Sequence, residues 1–426
     1  MKKLFNQLDD LDRRSFLENM AKGLLAVNIH PGLQAAGDTA QNGGGGKAKS
    51  VIIIRVLGGL SHVDSFDIKE ANRDSIKASS SIKTKADGIR VGKYFPKMAQ
   101  HMEKFALINS MFNTQGAHKP AQYLMSTGYE QRGSVLHPDL GGWVNRLSPR
   151  ISGDIPSYVK VGESRGQGSG FFGSKYAALP VASPEKGLSN IKRSRDISQK
   201  QFDKRLSLMN EINQVYEEKV KIASTDSYNL IYQDAVKLMK SKDLDVFDVS
   251  KENKSTRTLY GDSEFGQGCL LARRLVEKGV RCVEVTHSDW DFHYGIYDDM
   301  EETAPTLDQG VAALMGDLSA KGLLDSTLVA LVTEFGRSPE LNSRAGRNHH
   351  PVAYTCMLGG GGVKGGQTYG KTDKMGKNII ENKVTVPSFN ATIGYAMGLP
   401  LDHVEMSPEG RPFKIAHKAQ PITSIF

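Results

Sequence analysis

Only three cysteines, Cys269, Cys282 and Cys356, stand in this chain of 426 residues. None falls in a C-x-x-C pair, which excludes a zinc knuckle, and any bridge would leave one thiol over, which argues against a disulfide framework. Apolar runs are short. None reaches the roughly 18 residues that a membrane-spanning helix needs, so no membrane span is expected. No Lys/Arg block is interleaved with aromatics as a nucleic-acid groove would require. The net charge of +8 therefore reads as a well-solvated surface that suits anionic substrates, and no nucleic-acid partner is expected. The stretch LGGGGVKGG lacks the GxxxxGK[ST] order of a phosphate-binding loop and reads as a tight turn. Both tryptophans, Trp143 and Trp290, read as packing residues, although Trp290 sits inside a candidate metal motif.

Near the start of the chain, LDRRSFLENMAKGLLAVNIHPGLQAAG pairs Arg13 with Arg14, then continues through Phe16-Leu17 into a short, mildly apolar run. That pattern resembles a twin-arginine export signal, and it implies a periplasmic or otherwise exported protein. GDTAQNGGGGKAKS follows as a flexible linker. Residues 1–49 are thus read as signal and linker, and 50–426 as one folded domain.

Within that domain, VIIIRVLGG (51–59), FALINSM (105–111), VRCVEVT and DSTLVALV are near-continuous apolar runs, which suit strands buried on both faces. Helix-like patterns separate them, around FPKMAQHM, AQYLMSTG, FGQGCLLARRLVEKG and LDQGVAALMGDLSAKG. The alternation predicts an α/β fold with a doubly wound, mostly parallel sheet flanked by helices. Residues 184–257 are polar and almost free of Gly and Pro, and read as an inserted helical segment. RGQGSGFFGSKY (165–176) reads either as a glycine-rich substrate loop or as a surface turn.

Polar side chains gather where these strands end. GGLSHVDSFD offers His62, Asp64 and Asp67. GAHKPAQ offers His118, and HSDWDFH offers His287, Asp289, Asp291 and His293. TEFGRSPELNSRAGRNHHP offers Glu334, Arg337, Arg347, His349 and His350. Ligands of open α/β sheets bind at this carboxyl edge. Mixed carboxylates and imidazoles suit one or two divalent metal ions, with zinc, manganese, iron and calcium left open. Arg337 and Arg347 are candidates to bind an anionic oxygen.

GGLSHVDSFDIK, LLARRLVEKGVRCVEV, DWDFH, LLDSTLVALVTEFGRSP and GRNHH with GGGGVKGGQTYGKTD resemble the domain of unknown function 1501 family. That family is related to the alkaline-phosphatase and sulfatase superfamily, and the resemblance runs from about residue 50 to the C-terminus. It implies an alkaline-phosphatase-like fold and a metal site. Asp64, with His62 beside it, is the nearest match to the acidic ligand after the first strand. Counting back from Thr127-Gly128 over the spacing found in sulfatases places His118 at the nucleophile position. Asp-x-x-x-His spacing selects Asp289 with His293, whereas the WDxH pattern selects Asp291, and both stay open. Glu334-Phe335 stands where the superfamily has Asp-His, so one imidazole is missing. His349 matches a later ligand histidine. Asn348 and Ser388 stand where family members commonly carry acids.

The resemblance implies an exported, metal-dependent hydrolase of phosphate or sulfate esters, acting on an anionic small molecule or glycan. The alternative is a catalytically silent relative that binds an anionic glycan or a protein partner. His118 can serve as nucleophile, acid/base or ligand. The ligand role would replace the nitrogen missing at Phe335, and it expects His118 near Asp64 and Glu334.

Overall fold

The structure is a computed structural model that describes residues 46–133, 135–163, 168–188, 197–220 and 235–426. The paired arginines and most of the glycine-rich linker lie outside the described residues.

Strand β1 (Ser50–Val56) is buried along its whole length. Ile52, Ile54 and Val56 enter one core, while Val51 and Ile53 enter another. A strand with both faces covered needs apolar residues on both, which is why its sequence does not alternate. Its one charged residue, Arg55, is buried beside Glu284. The other strands of the sheet are β2 (Phe105–Phe112), β3 (Tyr158–Val161), β4 (Leu179–Val181), β5 (Cys282–His287), β6 (Thr327–Thr333), β7 (Tyr354–Gly360), β8 (Gln367–Tyr369) and β9 (Val384–Thr385). Their order is β8-β2-β7-β6-β1-β5-β3-β4, with β9 also paired to β2. β1 runs parallel to β5 and β6, while β7 runs antiparallel to both β6 and β2. The sheet is therefore mostly parallel, as expected.

Longer helices cover both faces: α1 (His118–Thr127), α2 (Leu140–Leu147), α3 (Gln199–Val220), α4 (Glu264–Glu277), α5 (Ile296–Ala320) and α6 (Val386–Ala396). Leu271 and Leu275 of α4 and Leu307 and Leu314 of α5 pack in the core that holds Ile52. Leu124 of α1, Trp143 of α2 and Phe389 of α6 pack in the core that holds Val51. This arrangement is the doubly wound α/β fold.

Two local readings differ. FPKMAQHM forms a 3-10 helix over Met98–Lys104 rather than an α-helix. The buried strand YTCMLGG, which became β7, was not anticipated, because its small and polar residues dilute the apolar run. The described part of the glycine-rich segment is packed: Phe172 meets the Trp143 ring edge-on at 4.7 Å.

Candidate metal centre

β1, β5 and β6 are adjacent and parallel, so the loops leaving Val56, His287 and Thr333 emerge side by side. The loop after β2 and the approach to β7 join them at the same edge. Helix α1 starts at this edge because Ala117 is extended (φ −113°, ψ 144°) and Pro120 suits a first turn. His118 is its first residue.

Five side chains converge here. Asp291 Oδ1 lies 3.0 Å from His293 Nε2 and 3.2 Å from His349 Nε2. Asp291 Oδ2 lies 3.2 Å from His118 Nε2. His118 Nδ1 is 2.9 Å from Glu334 Oε1. The two nitrogens His293 Nε2 and His349 Nε2 stand 3.0 Å apart. One donor atom each from His118, Asp291 and His349 falls within 4.8 Å of the others.

Hydrogen bonding bears on the tautomers. His349 Nδ1 lies 2.8 Å from the Gly116 carbonyl, which can only accept, so Nδ1 carries the proton and in the neutral ring Nε2 has the lone pair. His293 Nε2 lies 3.4 Å from Arg337 Nη1, a donor, and 3.0 Å from Asp291 Oδ1, an acceptor, so its neighbours fix no tautomer. Three possible ligand atoms, His293 Nε2, His349 Nε2 and Asp291 Oδ1, thus crowd within 3.2 Å of one another. A cation relieves that arrangement. The donor separations are also close to the roughly 3.3 Å edge of a tetrahedron whose corners lie 2.0–2.1 Å from one zinc ion.

The surroundings hold Asp291 ionised and His293 neutral, and push His118 towards its protonated form. Burial alone would raise the Asp291 pKa, but the Arg337 guanidinium bonded to it holds the carboxyl at about 2. Burial, and then the nearby Arg337 charge, lower the His293 pKa. The Glu334 hydrogen bond raises the His118 pKa, against the opposing effect of burial. Glu334 Oε1 accepts from Gly58 N at 2.9 Å and from Gln122 Nε2 at 3.0 Å as well as from His118, while Oε2 is buried without a partner. Phe335 lies between imidazoles, its ring centroid 5.0 Å from His118 and 4.4 Å from His349. It forms an apolar wall between them.

Other expected residues lie elsewhere. Asp64 and Arg347 are fully buried and paired, with Arg347 Nε 2.7 Å from Asp64 Oδ2. Asp64 also accepts from Ser61 Oγ and Ser79 N, and Arg347 donates to the carbonyls of Ile76, Lys77, Ser338 and Pro339. This corrects the expectation of a free acidic ligand and an anion-binding guanidinium, because each group satisfies the other. His118 accordingly meets Glu334 but not Asp64. Arg337 is also fully buried and donates to Asp291, Gly58 O, Gly59 O and Arg347 O. It is a tie between three strand-end loops rather than a surface anion site. His62 Nε2 lies 2.7 Å from Gly376 O, and burial lowers its pKa to about 4. Asp67 pairs with Lys69 and Thr372. Asp289 is exposed, with φ +72°, whereas Asp291 lies 3.0–3.2 Å from His118, His293 and His349 and is the aspartate of the cluster. His350 Nε2 lies 2.8 Å from Lys377 O, and His287 Nδ1 accepts from Trp290 Nε1. Asn348 is exposed, and Ser388 lies in the first turn of α6.

Gln122 and Gly58 were not singled out from the sequence. Gln122 follows His118 by one helical turn, a spacing that puts both on one face of α1. Gly58 belongs to the Gly-Gly pair that ends β1.

No curated protein matches the chain. Similar solved structures include a putative sulfatase from Bacteroides thetaiotaomicron, with 7% identity, TM-score 0.41, and coverage of 86% of this chain and 74% of that one. The lipoteichoic acid synthase LtaP from Listeria monocytogenes has 9% identity and TM-score 0.39, covering 85% and 74%. A protein in the alkaline phosphatase superfamily from Vibrio parahaemolyticus has 10% identity and TM-score 0.36, covering 89% and 70%. Residues 48–426, which include every strand-end loop of the cluster, match the family described as "Protein of unknown function (DUF1501)", and the chain belongs to that family.

Proposed function

We propose that this chain is an exported, metal-dependent hydrolase of phosphate or sulfate esters carried by an anionic small molecule or glycan. The observation that carries the reading is the convergence of His293 Nε2 and His349 Nε2, 3.0 Å apart, on Asp291 Oδ1. Asp291, His293 and His349 would hold a divalent ion. A bound ion supplies charge that polarises an ester oxygen and stabilises a leaving group.

The protein's own groups do the rest. Arg337 keeps Asp291 ionised and in place. The Gly116 carbonyl keeps the His349 proton on Nδ1. Glu334 does the same for His118, whose Nε2 then faces Asp291 and becomes a further nitrogen donor. This ligand role is preferred over attack on the ester, because it replaces the nitrogen absent at Phe335.

A second reading, a catalytically silent relative that binds an anionic glycan, has one observation in its favour. Arg337 and Arg347 are both buried with their donors engaged, so neither guanidinium is left for an ester oxygen. Metal analysis of the purified protein, followed by a panel of phosphate and sulfate esters, decides between the two. The hydrolase reading expects a bound divalent metal and chelator-sensitive turnover. Metal-loaded protein that turns over nothing on the panel, yet binds a sulfated or phosphorylated glycan, establishes the silent reading instead.

A further inference from the structure

The stretch LNSRAGRN lies between β6 and His349. Asn342 Oδ1 accepts from Arg344 N at 2.9 Å and from Gly346 N at 3.1 Å, while Asn342 N donates to Gly346 O at 2.8 Å. These bonds close a turn in which Ala345 is left-handed, at φ +55°. Asparagine favours such turns because its side chain bonds nearby main chain.

The turn is pressed against the loop that carries His293. A Cβ on Gly346 would lie 2.0 Å from the His293 carbonyl carbon, so nothing larger than glycine fits. Arg347 N donates to Phe292 O at 3.0 Å, Gly295 N to Arg344 O at 3.1 Å, and Ile296 N to Ala345 O at 3.0 Å. Asn342 Nδ2 adds a side-chain bond to the His293 carbonyl at 3.0 Å. The same Nδ2 stands 3.3 Å from Asn348 Oδ1, on the residue that precedes His349. One carboxamide therefore touches a ligand residue of the β5 loop and the neighbour of a ligand residue of the β6 loop.

We propose that Asn342 is a positioning residue: its side-chain N–H group fixes the His293 loop against the His349 loop, and so sets the spacing of the two imidazoles. The inference rests on the metal reading above. Partners of this kind, outside the ligand shell, typically change metal affinity by roughly 10- to 100-fold. A mere turn-former would act through Oδ1, whereas the coupling runs through Nδ2, and the two atoms can be separated.

Asn342→Asp keeps an acceptor for Arg344 N and Gly346 N but removes the donor to His293. Its added negative charge would by itself favour a cation, so a loss of affinity would report position rather than field. The test titrates the full chain, stripped of metal, with Co²⁺ alone, and reads both affinity and the visible spectrum. Wild type is expected to bind Co²⁺ with nitrogen-ligand bands. Asn342→Asp is expected to bind it about 10-fold or more weakly with shifted bands, while the metal-free proteins melt together. Equal affinity and an unchanged spectrum would overturn the positioning role and leave the metal reading standing. A wild type that takes up no Co²⁺ would overturn the metal reading, and this role with it. If the metal-free variant melts early, Asn342→Ser removes the contact without adding charge. Its one short hydroxyl can accept within the turn but leaves no second group to reach His293 O. Wild-type affinity in that variant would also overturn the role.

Discussion

His293 and His349, 56 residues apart in sequence, bring their Nε2 atoms to 3.0 Å, both of them beside Asp291 Oδ1. Where both present lone pairs, two such atoms repel unless something positive lies between them.

Removing either imidazole should therefore abolish ion binding rather than weaken it slightly. For His349→Ala we expect a loss beyond the roughly 10- to 100-fold typical of partners outside the ligand shell. Calorimetric titration with zinc measures it, and near-wild-type affinity would contradict the assignment.

The Asp64–Arg347 pair predicts a stability effect. Both side chains are fully buried, so Arg347→Met strands a carboxylate away from water. Breaking one side of a buried pair costs about 3–5 kcal/mol, whereas replacing both partners with apolar groups costs far less. Urea unfolding should show Arg347→Met well below wild type and Asp64→Leu/Arg347→Met closer to it. A single variant as stable as wild type would contradict the pairing.

A third expectation concerns pH. Burial lowers the His287 pKa to about 4, while the unfolded value is about 6.5. Between those values the unfolded chain binds the extra proton, so stability is complete above about pH 6.5 and falls as pH drops toward 4. At pH 5 this one group should account for about 2 kcal/mol of the loss. His287→Gln, which can still accept from Trp290, should flatten the dependence between pH 7 and pH 5. An unchanged slope in urea melts would argue against it.

Gly58 has φ +121°, and a Cβ there would lie 2.5 Å from Asp291 N and from the Trp290 carbonyl carbon. Gly58→Ala should displace the Asp291 loop, lower stability by about 1–3 kcal/mol and weaken ion binding. Thermal melting and a metal titration of the same sample check both parts together.

The proposed export is carried by the Arg13-Arg14 pair of the sequence. Replacing both with lysine should trap the protein in the cytoplasm, as read by cell fractionation. Secretion undiminished by the change would rule out the twin-arginine route.

The sheet was legible because β1, β2, β5 and β6 lie in near-continuous apolar runs, and a ligand edge follows from parallel topology. The positions of His118, Asp291, His293, Glu334 and His349 followed from the same rule and from the family resemblance. What each side chain meets was less legible. An aspartate after a strand reads alike whether it faces an ion or an arginine, and Arg347 lies 283 residues from Asp64. Asp289 and Asp291 are two residues apart, and only the contacts of Asp291 with His118, His293 and His349 separate them. Gln122 and Asn342 act through single hydrogen bonds to distant loops, and such bonds leave no periodic trace.

β1 also has a consequence for how the chain acquires its structure. It sits at the centre of the sheet, yet its bonding partners come late: Ser50 meets Val280 across 230 residues, and Gly58 meets Glu334 across 276. Loop closure over such spans must precede any reward from burial, so folding is slow and depends on nearly the whole chain being present. Until then a highly apolar strand stands unpaired, a species prone to aggregate. Truncation before β6 would remove a direct neighbour of β1 together with Glu334, so the fold and its candidate metal centre mature in one late step.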